Sequence, residues 1–282
     1  MKVVTSPTEI QALAHGYRTN GLTIGLVPTM GWFHDGHLSL MRKATTVADK
    51  VIVTLFINPM QFGPSEDLDN YPYDLDRDCR LAEKAGVDLL YAPEKDAMYP
   101  EEFATTVHVE GLTYGLCGGS RPGHFDGVTT VVAKLFNQTL PHLAVFGEKD
   151  FQQLAVIRQM VSDLDFPVEI IAHPIVREKS GLAMSSRNTY LKDDEMAAAL
   201  SLSKGIALAK DLAKGDRNVT LKQLKDEVCR NIIRHRECEI DYVEIVDKTS
   251  LRSCTLLTAD SVLLLAVKIN KRIRLIDNSL IL

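Results

Sequence analysis

Short apolar, β-branched runs alternate with longer segments of helical period through the first two thirds of the chain. Strand candidates lie at 23–27, 51–57, 88–92, 143–146 and 168–172, each short and nearly continuously apolar, as strands buried on both faces of a parallel sheet are. Helices are expected at 38–48, 75–85, 128–138 and 151–163. In the last, Leu154, Ile157 and Val161 make the apolar stripe, with Arg158 beside them. Gly86 suits the left-handed position that ends a helix. Strand–helix alternation of this kind predicts a doubly wound α/β sheet that binds ligands at the carboxyl ends of its strands.

The pattern changes after Arg187. Residues 193–212 are rich in Ala, Leu and Lys and predict a helix, which Gly215 ends, and 221–235 predicts another. Strand-like runs follow at 242–246, 261–267 and 272–276, the last two flanking an Asn270-Lys271 turn. Helices followed by a small antiparallel sheet indicate an α+β domain. The boundary falls near 176–187, dividing 1–180 from 181–282.

Composition adds mainly exclusions. The 282 residues are 45% hydrophobic and 24% charged, so a disordered or collagen-like chain is excluded. A formal charge of −5 argues against a general nucleic-acid binder. No apolar run reaches the ~20 residues of a membrane helix. Five cysteines without C-x-x-C spacing read as reduced thiols. With no leader pattern at Met1–Pro7, the expected location is the cytoplasm.

Candidate chemistry concentrates in a few loops. After the first strand comes Met30-Gly31-Trp32-Phe33-His34-Asp35-Gly36-His37, in which His-x-Gly-His opens a helix. Helix N-termini offer free N–H groups to an anion such as phosphate, and imidazoles can donate to it or protonate what leaves. Zinc would want a third ligand that is not evident here. Met184-Ser185-Ser186-Arg187 sets two hydroxyls beside a guanidinium, a phosphate clamp when paired with the first loop and a plain polar loop on its own. Asn58-Pro59-Met60-Gln61-Phe62-Gly63 places carboxamides after the second strand. Gly147-Glu148-Lys149-Asp150-Phe151-Gln152-Gln153 follows the fourth, and Arg121-Pro122-Gly123-His124-Phe125 precedes a helix. His124 reads as a loop or structural histidine.

The His-x-Gly-His and Met-Ser-Ser-Arg loops resemble the signatures of the nucleotidyltransferase superfamily. All five segments, in their order along the chain and with the closing Arg274-Leu275-Ile276-Asp277-Asn278, resemble the pantoate–β-alanine ligase family across about residues 22–191. The resemblance implies a Rossmann-like doubly wound sheet with a smaller α+β C-terminal domain closing over the active site. It implies that ATP, with Mg2+, activates (R)-pantoate as a pantoyl adenylate, which β-alanine then attacks, in a homodimer. Met30 to His37, Gly147 to Asp150, Val176 and Met184 to Arg187 would line the ATP site, and His37 would be the proton donor. His34, Lys149, Ser185, Ser186 and Arg187 would neutralise phosphate charge. Gln61 and Gln153, with Asn58 a lesser candidate, would hold pantoate, and Gln61 would also lie near β-alanine. Asp76-Arg77-Asp78 departs from the adjacent acidic residues of some members, leaving the magnesium ligands unassigned. Phe151 stands where Tyr is frequent. Two other readings use the same loops: an adenylyltransferase that keeps AMP on its product, and a non-catalytic nucleotide-binding module.

Overall fold

The computed structural model describes residues 1–64, 66–216 and 218–282. Among these described residues there are nine strands: β1 (Lys2–Val4), β2 (Ile24–Thr29), β3 (Lys50–Leu55), β4 (Leu89–Tyr91), β5 (Leu143–Gly147), β6 (Glu169–His173), β7 (Cys238–Asp247), β8 (Ser261–Ile269) and β9 (Ile273–Leu280). The helices are α1 (Pro7–Thr19), α2 (Asp35–Thr45), α3 (Leu75–Lys84), α4 (Lys95–Met98), α5 (Leu116–Ser120), α6 (His124–Thr139), α7 (Phe151–Asp163), α8 (Met196–Ala199), α9 (Ser201–Gly215) and α10 (Leu221–Ile233). They divide into two compact units, the first comprising 1–114, 121–148 and 153–174 and the second 115–120, 149–152 and 175–282.

The first unit is built on a parallel sheet of order β1-β4-β3-β2-β5-β6. Its central strands are buried on both faces. Ile24, Leu26, Val27, Ile52, Val53, Ala144 and Val145 are fully covered, which explains why they read as unbroken apolar runs rather than alternating ones. From β2 the chain winds through β3 to β4, then returns to place β5 and β6 on the other side of β2. The winding therefore reverses between β2 and β5, and a doubly wound sheet opens its ligand crevice at the carboxyl end of such a reversal. The loops leaving β2 and β5 are the ones that carry Met30–His37 and Gly147–Glu148.

Several elements differ from the sequence expectation in extent. Strand β1 and helix α1 lie outside it altogether; α1 is capped by Ser6, whose hydroxyl accepts from the Glu9 N–H, with Pro7 opening the first turn. Helix α6 starts at His124, four residues before the expected 128, because Gly123 turns the chain at φ +80°. On α7 the buried face runs through Leu154, Val156, Ile157 and Met160, while Val161 is half-buried.

The second unit packs α9 and α10 on an antiparallel sheet β7-β8-β9, around Leu202, Ile206, Leu224, Val228, Leu263 and Leu265. The expected long helix 193–212 is a 3-10 turn at Asp193–Glu195 followed by α8 and α9. Asn270 and Lys271 turn β8 into β9 at φ 48° and 57°, the left-handed pair of a tight hairpin. Strand β9 runs on to Leu280 because β8 supplies partners as far as Val262.

Glu195 anchors that hairpin. Its buried carboxylate accepts from the Lys192 N–H at 2.9 Å, Asn270 Nδ2 at 2.6 Å and Arg272 Nη2 at 3.0 Å. The Lys192 N–H, then Asn270 and Arg272, hold the carboxyl down at about 2. A folded value below the unfolded one means that this stabilisation is complete above the ordinary carboxylate range and is lost as pH falls toward about 2. Glu195→Gln should therefore melt several degrees below wild type at neutral pH, with the gap narrowing as pH falls through the acid range. Parallel melting curves across that range would contradict the assignment.

Candidate active site

In the first unit the site starts at the end of β2. Gly31 follows at φ +89°, and a Cβ there would stand 2.9 Å from Leu55 Cγ, so only glycine makes this turn without displacing its neighbour. Trp32 also takes a left-handed φ of 51°, a conformation that costs a non-glycine residue free energy unless its surroundings hold it. The hold comes from α3. Asp78, with its side chain fully buried, accepts from the Phe33 N–H at 2.8 Å, and Arg77 Nη2 donates to the Phe33 carbonyl at 2.7 Å. The Arg77 guanidinium also lies 4.6 Å from the Trp32 ring centroid. Burial pushes the Asp78 carboxyl up, and the Phe33 N–H and Arg77 act against that rise.

The loop delivers His34 as the residue capping α2 and His37 in its first turn. Their rings stack at 4.0 Å with planes 21° apart, and Phe33 meets His37 edge-on at 5.8 Å. The two imidazoles thus stand side by side where the α2 dipole favours negative charge.

Gln61 lies on the neighbouring loop, after β3. Asn58 is 1% exposed and holds it: Asn58 Nδ2 donates to Gln61 Oε1 at 3.2 Å and to the Gly127 carbonyl at 3.0 Å. Asn58 Oδ1 accepts from the Met60 N–H at 3.2 Å and from the Tyr99 hydroxyl at 2.9 Å. Gln61 Nε2 points to Met30 Sδ at 2.9 Å, joining this loop to the one from β2. Beneath it, His124 Nδ1 and Arg121 Nη2 both meet the Gln61 carbonyl, at 2.8 and 3.2 Å. Arg121 forks onto Glu66 at 2.5 and 2.6 Å. Burial raises the Glu66 carboxyl, and the Arg121 fork more than offsets it, leaving the group below its ordinary range. Asn58 and His124 are therefore supports of Gln61, a part the sequence reading did not give Asn58. Gln153 sits half-buried on α7.

The second unit brings other candidates together. Val176 and Met184 face one another across a narrow hairpin, with the Met184 N–H donating to the Val176 carbonyl at 2.9 Å. Ser185 caps the 3-10 turn Ser186–Tyr190, its hydroxyl accepting from the Arg187 N–H at 3.3 Å, and Ser186 is buried. Asn188 Nδ2 ties the turn back to Glu178 and to the Ala183 carbonyl. Lys149 and the exposed Asp150 lie in a short 3-10 turn before α7.

The segment Asp76-Arg77-Asp78 does not fit a magnesium site. Asp76 is exposed, and Asp78 has a guanidinium against the oxygen that receives the Phe33 N–H. Among the described residues no cluster of three His, Cys, Asp or Glu side chains is placed to hold a metal. Sequence reasoning also missed the clasp of Asp78 and Arg77 on Phe33. The only signal was an acidic–basic–acidic triplet opening a helix, which by itself is a solvated turn.

A parallel sheet with paired imidazoles on a helix N-terminus at its switch point defines an α/β nucleotide-binding enzyme architecture. The family model for pantoate-β-alanine ligase matches residues 2–280. A pantothenate synthetase of Heliobacterium modesticaldum is 51% identical over 282 residues, covering 100% of this chain and 99% of the relative. That of Geobacter sulfurreducens is 51% identical over 279 residues, covering 99% and 98%. Among solved structures, pantothenate synthetase from Thermus thermophilus superposes with a TM-score of 0.93 at 41% identity, over 100% of this chain and 99% of that one. The Francisella tularensis pantoate-β-alanine ligase, complexed with β,γ-ATP and β-alanine, gives 0.82 at 32% identity, over 100% and 98%. The chain belongs to the pantoate–β-alanine ligase family, and it is an enzyme of that kind.

Proposed function

We propose that the chain joins (R)-pantoate to β-alanine through a pantoyl adenylate, with His34, His37, Lys149, Ser185, Ser186 and Arg187 acting on the triphosphate. The stacked imidazoles at the start of α2, at the sheet's switch point, are the observation that carries the reading. A pantoate carboxylate oxygen attacks the α-phosphorus, the bond to the bridging oxygen breaks, and pyrophosphate leaves with that electron pair. The β-alanine nitrogen then attacks the acyl carbon, the carbon–oxygen bond to AMP breaks, and the nitrogen loses a proton. The attacking carboxylate is already ionised at neutral pH, so the first step needs neutralised charge and in-line placement more than a base.

In this reading His37 donates the proton that the leaving group takes up, and Lys149 meets phosphate while Asp150 meets the ribose hydroxyls. Val176 lies by the adenine, and the remaining residues of Met30–His37, Gly147–Asp150 and Met184–Arg187 complete the nucleotide site. Gln61 and Gln153 take the hydroxyls and carboxylate of pantoate, and Asn58 keeps the Gln61 carboxamide aimed. Magnesium enters with the triphosphate as part of the substrate. The working form is a cytoplasmic homodimer.

Supplying ATP and (R)-pantoate with and without β-alanine tests the reaction. AMP and pantothenate should accumulate together only when the amine is present. A product that keeps AMP, or ATP binding without pyrophosphate release, would overturn it. Gln153→Ala tests the pantoate site separately. A deoxy analogue leaves a carboxamide that substrate covers unpaired in the wild type, at about 1–3 kcal/mol per lost bond. The variant should lose that preference for pantoate, and equal discrimination by both enzymes would place Gln153 elsewhere.

A further inference from the structure

Strand β9 carries two consecutive polar side chains, Asp277 and Asn278, that are only 3% and 5% exposed. A carboxylate and a carboxamide buried side by side are costly unless each finds partners. In the second unit Asp277 takes the Arg177 side chain, from the hairpin that leads into Ser185–Arg187, and Asn278 takes the backbone of Lys149.

Asp277 takes the hairpin. Arg177 Nη1 and Nη2 donate to its two oxygens at 2.7 and 2.8 Å, a planar fork on a carboxylate. The same guanidinium donates to the Gly181 carbonyl at 3.1 Å. Arg177 pairs antiparallel with Ala183, so it sits inside the hairpin whose ends are Val176 and Met184. The hydrogen bond to Asp277 raises the Arg177 guanidinium above its ordinary value. Asn278 takes the other segment, its Nδ2 donating to the Lys149 carbonyl at 2.9 Å. The Asn278 N–H donates to Asp277 Oδ1 at 2.8 Å, which locks the two grips together. One dipeptide of β9 therefore ties Lys149 and the 176–184 hairpin, and through it Ser185–Arg187, into a single frame.

We infer that Asp277 and Asn278 are positioning residues for adenylate formation, setting the spacing between Lys149 and the Met184–Arg187 loop so that their cations meet one triphosphate. The inference rests on the reading of Lys149 and Arg187 as nucleotide-binding groups. Its physical basis is that long, flexible side chains neutralise charge well only when their backbones are already in place. Attack of the amine on a finished adenylate has no triphosphate to align, so the two half-reactions should respond differently. Simple loss of stability would lower both alike.

The test measures single-turnover adenylate formation from ATP and pantoate and, separately, reaction of supplied pantoyl adenylate with β-alanine. Asn278→Ala should slow the first by about 10- to 100-fold and leave the second within about twofold of wild type. Arg177→Lys keeps the charge but loses the fork, and it should show the same selectivity; it decides the matter if Asn278→Ala does not fold. In a Lys149→Ala background, Asn278→Ala should add no more than about twofold, since its effect runs through the residue already removed. Losses shared equally by both half-reactions, or full multiplication in the double variant, would overturn the positioning role. A Lys149→Ala enzyme at wild-type rate would instead overturn the underlying reading of Lys149.

Discussion

Alanine at His37 or at Lys149 should slow adenylate formation by about 10²- to 10³-fold, the usual cost of removing a preorganised group aimed at developing charge. Both side chains sit on backbone that other residues hold. The turn before His37 is clasped by Asp78 and Arg77, and the Lys149 carbonyl is gripped by Asn278. Truncation therefore removes the imidazole or the ammonium with little disturbance of the frame, and melting temperatures should stay near wild type. Rapid-quench measurement of pyrophosphate release in a single turnover reads the step directly. A rate near that of the wild type in either variant would take that residue out of the triphosphate site.

Gly127→Ala should be nearly as damaging, through packing rather than charge. A Cβ at that position would overlap the Met60 carbonyl oxygen and stand 2.6 Å from the Gln61 nitrogen. These are backbone atoms, pinned by Asn58, Arg121 and His124, so no flexible chain end is available to swing away. Overfilling such a contact costs about 1–3 kcal/mol of stability. Relief requires the 58–61 turn to lift from α6, and a displacement near 1 Å at a substrate-positioning group costs on the order of 10²-fold. The expected result is a lowered melting temperature and a comparable fall in kcat/KM for pantoate, with KM for ATP little changed. Wild-type melting and kinetics together would show that the turn tolerates the methyl group and that Gln61 need not be so tightly seated.

Legibility in the sequence follows the range of the interaction. Val51–Val53 and Leu143–Val145 stand out because a strand covered on both faces leaves no polar position to interrupt the run. Asn270-Lys271 is readable because two left-handed residues have a narrow choice of side chain. Helix α1 escapes notice although Ser6, Pro7 and Glu9 form a complete start signal; with only Ile10 and Ala14 buried, its apolar stripe is too thin to stand out. The site divides the same way. The His34–His37 loop and Ser185–Arg187 are local signatures, each compressed into a few residues. The supports of the candidate site residues are distant: Asp78 lies 45 positions from Phe33, His124 63 from Gln61, and Asn278 129 from Lys149. No periodicity or spacing rule connects such pairs, because the fold alone brings them together.

The clasp on the loop after β2 has an experimental corollary. Trp32 is the chain's single tryptophan, set directly beneath the Arg77 guanidinium and two residues before His34. An indole's emission depends on the charge and solvent around it, so emission excited selectively at tryptophan, clear of the chain's eight tyrosines, is a signal from this one loop. The enzyme thus carries its own optical probe: binding isotherms and stopped-flow traces can be recorded on unlabelled protein and assigned to the neighbourhood of the paired histidines.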